Sequence, residues 1–226
     1  MQLTLAQQLL LLALKDEKGS VIMSSSMALP YGLVGAIIME LFMKKRLAFN
    51  EKKVVVLDAS PTEDPLQDEA LAIIKDFGKQ KDAKYWVQKL ASKIKKSQDR
   101  IAAQLVEQGI LRKEEHEFLW LIPYKRYPTQ NAEPEKDIRY KVRGVISGRY
   151  QLDDRSAALL SLIKACELTN EVFDKFERKE AKRLVKEIAK DDRIGQAVTG
   201  VVNEVNAAVM AAVMASVAAS TAVSSS

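Results

Sequence analysis

The feature that most constrains this fold is a helix that is apolar on almost every face. Residues 3–15 read LTLAQQLLLLALK, and within them Thr4 and Gln7 have the spacing of an N-terminal capping box. A helix on a protein surface keeps one polar face, whereas a helix that is apolar all round belongs in a core. Residues 33–46 (LVGAIIMELFMKKR) predict a second such helix, apolar up to its basic last turn. The sequence therefore predicts a fold built around buried helices.

The remainder of the chain predicts more helix and two small β elements. Residues 53–57 (KVVVL) have the β-branched run of a strand, and further strands are predicted at 110–113, at 117–122 and, as a return strand, at 124–128. Further helices are predicted at 66–77, at 82–108 with a break near Ser92, and at 137–146, 153–167, 170–190 and 194–217. With 226 residues, nine Gly and six Pro, the chain suits one mainly α, multi-helix domain over residues 1–226 with small β-hairpin elements.

Residues 207–226 end the chain with a segment rich in small residues. Residues 207–223 (AAVMAAVMASVAASTAV) approach the length of a membrane span, but they are mostly Ala, with Ser216, Ser220 and Thr221 among them. Such a weakly hydrophobic helix favours close packing in a core over a membrane anchor. We expect a small-residue helix followed by a frayed tail.

Two parts of the sequence show the same pattern when one is shifted by 64 residues. AIIMELFMKKRLAFNEKKVVVL (36–57) then lies on RIAAQLVEQGILRKEEHEFLWL (100–121), and each reads as a helix, a short turn and a hairpin. This is the order of elements in a winged helix, so both are predicted to be winged-helix-like helix–hairpin units, and a DNA-binding protein is one interpretation.

The charges of the second unit favour contacts to phosphates over the reading of DNA bases. A DNA-reading helix presents a pattern of Arg, Asn and Gln to base edges, and here the outward side chains are instead Lys93, Lys95, Lys96 and Arg100. Residues 81–149 hold 16 Lys and Arg against 9 Asp and Glu, a net charge of +7, although the whole chain carries only +5. Basic residues without base readers suit phosphates of any origin, lipid head groups included. We therefore expect no nucleic-acid partner.

The sequence offers no convincing catalytic or metal-binding motif. The single histidine, His116, lies between charged residues at an expected hairpin turn, and the single cysteine, Cys166, lies within the apolar helix SLIKACEL, where a buried and inert thiol is expected. One His and one Cys exclude a His/Cys metal cluster, and the chain lacks the GxSxG, Walker A and GxGxxG motifs. Gly32 and Gly35 favour close helix packing over phosphate binding. We expect a protein that is not an enzyme and that uses no cofactor.

The location predicted by composition is cytoplasmic. One cysteine cannot form an internal disulfide, which fits a reducing compartment. No basic segment followed by an apolar stretch and a cleavage site opens the sequence, as it would in a secretory signal peptide.

An apolar run in the second hairpin has two interpretations. It is either a strand buried on both faces or a protruding hairpin that contacts a partner subunit or a membrane interface, where aromatic residues next to Lys or Arg are typical. The residues assigned to this contact are Phe118, Trp120, Ile122, Tyr124, Lys125 and Arg126.

Several blocks of the sequence resemble one known family. LTLAQQLLLLALKDEKG, YGLVGAIIMELFMKKRL and RIAAQLVEQGIL with the hairpin after it are similar to the Golgi phosphoprotein family of phosphatidylinositol 4-phosphate-binding adaptors, in the same order and over nearly the whole chain. The resemblance implies a mostly helical domain without catalytic activity, a basic pocket for a phosphoinositide head group, and a β-hairpin used for self-association and membrane contact. It also implies protein partners, since eukaryotic members recruit glycosyltransferases and coat proteins.

The positions of the family's pocket can be compared with this sequence one by one. Where the family has a Trp in the loop after the first helix, this chain has Ser24 and its neighbours, and where the family has an Arg in the YGLVG block, it has Val34. The two basic residues before LVEQGIL fall on Lys95 and Gln98, so Lys95 alone keeps its charge. The resemblance therefore implies a less selective anionic-lipid surface here.

The leading hypothesis is thus a cytoplasmic, peripheral membrane protein. It would bind anionic lipid head groups, phosphoinositides among them, and form a homo-oligomer through the hairpin. The residues assigned to the head groups are Lys93, Lys95, Lys96 and Arg100. Two alternatives stay open: a soluble protein–protein adaptor without lipid binding, and a winged-helix-like nucleic-acid-binding protein.

Overall fold

The computed structural model describes residues 2–118, 122–188 and 196–223, and their fold is mainly α. The helices are α1 (Leu5–Ala13), α2 (Leu29–Met43), α3 (Pro65–Asp76), α4 (Ala83–Lys93), α5 (Ser97–Glu107), α6 (Glu133–Ile146), α7 (Asp154–Ala165), α8 (Thr169–Val172), α9 (Glu177–Ile188) and α10 (Gln196–Val223). The strands are β1 (Leu47–Asn50), β2 (Lys53–Val56), β3 (Lys81–Asp82), β4 (Glu114–Phe118) and β5 (Ile122–Arg126). A short 3-10 turn, Met23–Ser25, precedes α2.

The two apolar helices form the centre of the molecule, as the sequence predicts. The capping box of α1 is present, with the Thr4 hydroxyl accepting from the backbone N–H of Gln7 and the Gln7 side chain accepting from that of Thr4. α2 packs against α1, α4, α7 and α10, and Gly35 lets α10 approach α2 closely, since a Cβ there would lie 2.6 Å from Cγ2 of Val209. Because neighbours surround both helices, their apolar residues are buried on almost every side.

Several predicted helix boundaries differ from the structure. The helix predicted at 33–46 starts four residues earlier, at Leu29, and the break predicted near Ser92 falls at Ile94–Lys96. The helix predicted at 170–190 is two helices, α8 and α9, because the backbone is extended at Phe173 and the Glu177 side chain accepts the backbone N–H of Asp174 before α9 begins. The last helix runs to Val223, beyond the predicted end at residue 217. Propensity sets the helical state, and these local caps set the ends.

The strand predicted at 53–57 is β2, in a small antiparallel sheet of order β1-β2-β3. The hairpin β1–β2 follows α2 directly, with Leu47 opposite Val56. The third strand, β3, is only two residues long and was not predicted, since two residues carry no periodic signal. The first helix–hairpin unit of the sequence pattern is therefore present.

The second hairpin is present, but its strands have different bounds from the predicted ones. β4 begins at Glu114 and pairs antiparallel with β5 as far as Phe118 and Ile122, so the strand predicted at 117–122 is divided between the two strands. His116 lies in the middle of β4 opposite Tyr124 and not at a turn. Ile110 and Leu111, predicted to start a strand, are buried below the hairpin. The sequence does not reveal this division, because residues 117–122 contain none of the Gly, Asn or Pro residues that usually separate two strands.

Backbone contacts anchor the base of this hairpin to the body. The N–H of Tyr127 donates to Gly19 O at 3.0 Å, and the Tyr127 hydroxyl donates to Asp99 Oδ1 on α5 at 3.0 Å. Gly19 has φ +58°, and a Cβ at this position would lie 2.2 Å from the backbone of Tyr127 and Pro128. Only glycine fits such a contact, so the loop after α1 can lie directly beneath the hairpin.

Candidate functional site

The candidate lysines lie where α4 leads into α5. Lys93 ends α4, Ile94 is buried with 2% of its surface exposed, and Lys95 and Lys96 are exposed. Lys96 adopts the left-handed conformation (φ 53°), which turns the chain into α5. Burial of Ile94 fixes the loop, so the charged neighbours face solvent.

These three lysines, which we call the lysine loop (Lys93, Lys95, Lys96), carry uncompensated charge. The ion pairs among the described residues include none of them. The sequence explains why, since residues 83–98 contain five Lys and neither Asp nor Glu. Such a loop produces a positive potential that attracts anions.

Arg100, the fourth predicted head-group residue, faces elsewhere. Its Nη1 lies 2.5 Å from Oε2 of Glu69 on α3, and 38% of its side chain is exposed. Its charge is therefore largely neutralised within the protein. The structure brings Lys93, Lys95 and Lys96 together and directs Arg100 to α3.

The positions that correspond to the family's pocket form no charged cavity. Val34 is fully buried in α2, and Ser25 is buried with its hydroxyl donating to Ile22 O at 3.0 Å. Ser24 is exposed in the 3-10 turn, and Gln98 is half-buried in the first turn of α5. Lys95 is the charged member of this set, so the arrangement is an open basic surface.

A groove of about 340 Å³ lies beside the lysine loop, and we call it the α4–α10 groove. It lies between the last turns of α4, the start of α2 and the C-terminal part of α10. Its lining residues are Ser26, Met27, Pro30, Tyr31, Gln88, Ala91, Ser92 and Ser216. None of them is charged, so a ligand of the lysines would have an uncharged surface next to it.

A larger cavity, of about 690 Å³, lies between the end of α5, α6 and the start of α7. Its rim mixes Asp137 and Asp153 with Lys141 and Arg155. Opposite charges on one rim favour no single class of ion, so the lysine loop is the better candidate for binding phosphates.

The described side chains of the hairpin are polar and lie next to its anchored base. Glu114 pairs with Arg112 at 3.0 Å and hydrogen-bonds Nε2 of His116 at 3.1 Å, and the hydrogen bond from His116 is the main cause that lowers the pKa of Glu114. The His116 ring stacks on Tyr124, with ring centroids 5.4 Å apart. The guanidinium carbon of Arg126 also lies over the Tyr124 ring, 5.2 Å from its centroid, and makes a cation–π contact.

Of the residues predicted to make the hairpin contact, three are described with their side chains. Tyr124 and Arg126 are half-buried and Lys125 is exposed. Phe118 and Ile122 face each other across the strands as the last described pair, and Trp120 lies outside the described residues. The structure thus confirms a hairpin at this place and leaves its contact a prediction.

The thiol and the imidazole lie in different surroundings. Cys166 is fully buried beside Gly32, which confirms the predicted buried cysteine, and burial raises the pKa of its thiol to about 12. His116 is on the solvent-facing hairpin. Within the described ranges, no three His, Cys, Asp or Glu residues are arranged to hold a metal ion.

Sequence reasoning missed the apolar surface beside the lysines. Met27 is 46% exposed and Met214 70% exposed, although both lie in segments that read as core. A signal was present, since the chain carries no charged residue between Lys18 and Glu40 or after Glu204. Two segments that reach the surface without any charged residue indicate exposed apolar areas, which are unusual on a protein surface.

Comparison with known proteins agrees with this fold. The family model described as Golgi phosphoprotein 3 (GPP34) matches residues 5–205. Vacuolar protein sorting-associated protein 74 of Schizosaccharomyces pombe is 28% identical over 168 residues, which cover 66% of this chain and 49% of that protein. The chain thus spans about half the length of this curated relative, and neither description names an enzyme. Because the family model covers almost all of the helices described above, the chain belongs to the Golgi phosphoprotein 3 family.

Proposed function

We propose that this chain is a non-enzymatic adaptor that binds the anionic surface of a membrane through the lysine loop. The observation that carries the proposal is the exposure of Lys93, Lys95 and Lys96 without an ion-pair partner among the described residues. Membership of a Golgi phosphoprotein family, and a relative named for vacuolar protein sorting, support a role at membranes of the trafficking system.

The energetics of the loop favour weak, reversible attachment. A Lys near an anionic bilayer contributes about 1 kcal/mol. Three such residues give about 3 kcal/mol, which corresponds to millimolar affinity. Stable attachment therefore needs a second contribution.

Self-association through the β4–β5 hairpin is the second contribution that we propose. Linking several lysine loops in one oligomer raises the overall affinity by avidity without any new lipid contact. The pairing of β4 with β5 and the anchored base support a hairpin that extends from the body as one unit.

The test is co-sedimentation with vesicles that are neutral, anionic, or anionic with phosphatidylinositol 4-phosphate. Lys93→Ala/Lys95→Ala/Lys96→Ala removes three exposed charges, and Lys175→Ala/Lys179→Ala/Lys182→Ala removes three exposed charges around α9 as the matched control. We expect the first variant to bind anionic vesicles roughly 100-fold more weakly than the wild type. The control is expected to keep most of its binding.

Each other outcome has a definite meaning. Equal losses in both triple variants would show that net charge, and not the lysine loop, drives binding. No binding of the wild type to any vesicle would overturn the proposal in favour of the soluble protein–protein adaptor, and displacement from vesicles by duplex DNA at equal phosphate concentration would favour the nucleic-acid alternative. A preference for phosphatidylinositol 4-phosphate would assign Lys95 to a selective site.

The hairpin is tested in the same assay with a shortened variant in which a Gly-Ser linker joins Lys113 to Tyr127. The base contacts of Arg112 and Tyr127 stay in place in this variant. We expect a smaller oligomer by sedimentation velocity and weaker vesicle binding. A monomer that binds as tightly as the wild type would contradict the avidity argument.

A further inference from the structure

The C-terminal half of α10 has an apolar side that faces solvent. One side of the helix packs against α2, α4 and α7 and buries Val205, Val209 and Ala212. The opposite side carries Ala207, Met210, Met214 and Ala218, which repeat at helical spacing, and Met210 is 44% and Met214 70% exposed. A surface helix of a soluble protein normally places charged or polar residues there, so this stripe is unusual.

A second exposed apolar surface lies at the start of α2, next to the packed side of α10. The α4–α10 groove joins Ser216 of α10 to Met27, Pro30 and Tyr31. Met27 is 46% exposed, and Met23, one turn earlier in the chain, is 85% exposed. Ser216 follows Ala212 by four residues and therefore lies on the packed side of α10, so the methionines at the start of α2 and those of the stripe are separate exposed groups. The flexible, polarizable side chains of both groups suit an irregular apolar environment.

The segments that carry the stripe, the lysine loop and the start of α2 have charges of one sign. No acidic residue occurs in residues 18–39, in 83–98 or after Glu204, and these three segments supply the turn before α2, α4 with the lysine loop, and the α10 stripe. Ser92, which lines the groove, is followed directly by Lys93. The apolar stripe therefore lies on a helix whose packing neighbour, α4, ends in the lysine loop, and apolar residues with lysines nearby are typical of a helix that lies in a membrane interface.

A second copy of the chain fits this face poorly. A two-fold contact through the same patch would bring two lysine loops together, and like charges facing each other oppose association. An anionic bilayer matches both the lysines and the uncharged stripe. The search for membrane-spanning helices finds residues 200–219 long and apolar enough to cross a membrane by length and composition, but a third of that segment is buried against the protein. The packed side therefore favours lying in the interface over crossing it.

We propose that the C-terminal half of α10, residues 207–219, inserts its Met210 and Met214 side into the interface of an anionic bilayer. The helix stays packed on α2 and α4 while the lysine loop contacts the head groups. This inference rests on the proposed function and deepens it, because it assigns the apolar contribution that the lysines lack.

The first test places a fluorescent probe on the stripe. Met214→Cys is labelled with an environment-sensitive nitrobenzoxadiazole dye and mixed with anionic vesicles, with and without lipids that carry a doxyl quencher. Cys166 does not compete for the dye because it is fully buried with a pKa raised to about 12. Phe176→Cys, at a 93% exposed apolar residue before α9, is the matched control. We expect a blue shift and quenching for the probe at Met214 and neither for the probe at Phe176.

The second test removes the apolar side chains without changing the charge. Met210→Gln/Met214→Gln is expected to bind anionic vesicles about tenfold more weakly than the wild type, whereas Met210→Leu/Met214→Leu is expected to bind equally well. Both positions are exposed, so both variants should keep the wild-type circular dichroism spectrum.

The outcomes separate this inference from the proposed function. Wild-type binding that depends on the lysine loop, together with an unshifted probe and an unaffected Gln variant, would overturn insertion and leave the proposed function standing. No vesicle binding by the wild type would remove both. A probe shift that depends on protein concentration and not on vesicles would overturn insertion in favour of contact between copies.

Discussion

At the scale of single residues, the buried carboxylate of Glu40 connects three helices. Its Oε1 accepts from Arg155 Nη1 at 2.9 Å and its Oε2 accepts from the N–H of Leu5 at 2.7 Å, while only 6% of the residue is exposed. A charge can be buried in this way only when it is paired and hydrogen-bonded. Glu40 thereby ties α2 to the start of α1 and to α7.

We predict that Glu40→Ala lowers the free energy of unfolding by about 2–4 kcal/mol, because it leaves the part-buried charge of Arg155 uncompensated and the buried N–H of Leu5 without its acceptor. Denaturant unfolding followed by circular dichroism measures the effect. Arg183→Ala is the control, since Arg183 is 60% exposed and pairs with Glu180 and Glu187 at the surface, where such pairs contribute less than about 1 kcal/mol. Similar losses in both variants would contradict the argument.

At the scale of elements, the contact of α2 with α10 depends on the absence of a side chain. A Cβ at Gly35 would lie 2.6 Å from Cγ2 of Val209, which is closer than carbon atoms approach. The interpretation of Gly32 and Gly35 as packing residues therefore agrees with the structure, since a Cβ at Gly32 would also lie 2.1 Å from Sγ of Cys166. These glycines set how near the helices come.

Gly35→Ala is expected to lower the free energy of unfolding by about 1–3 kcal/mol, through overpacking between α2 and α10. The matched control is Gly200→Ala, also in a helix, where a Cβ would meet no atom within 4 Å. That variant should raise stability by up to about 1 kcal/mol, because Ala favours a helix more than Gly does. Thermal and chemical unfolding of both variants would measure the difference, and a Gly35→Ala variant as stable as the wild type would refute close packing here.

At the scale of the whole molecule, one hydrophobic cluster extends through the described residues from α1 to α10. We propose that residues 1–226 form a single domain on this basis. A shared core makes the elements interdependent, so the chain should unfold in one cooperative transition.

Two probes can test this cooperativity. The chain has two tryptophans, so the variant Trp120→Phe keeps only Trp86 as a fluorescent probe. Trp86 is fully buried on α4 beside Phe77 and Tyr85. Its fluorescence should change at the same urea concentration as the far-ultraviolet circular dichroism of all helices. Two separated midpoints would show that the α4 region unfolds independently of the rest.

The sequence by itself determined the mainly α class, the two buried helices, the two helix–hairpin units and the family, because periodicity and capping are local and leave a direct trace in the order of residues. It also placed Lys93, Lys95 and Lys96 outward, since a run without acidic residues has no local partner for their charge.

Only the tertiary structure decided which charges stay unpaired and which apolar residues stay exposed. Arg100 has the same local pattern as the lysines, yet it meets Glu69, which lies 31 positions earlier in the chain. Met214 lies in the same run of apolar residues as Val209, yet it faces solvent because α2, α4 and α7 cover only one side of α10. Pairing and burial are relations between distant segments, so they follow from how the helices pack and not from the order of residues within any one of them.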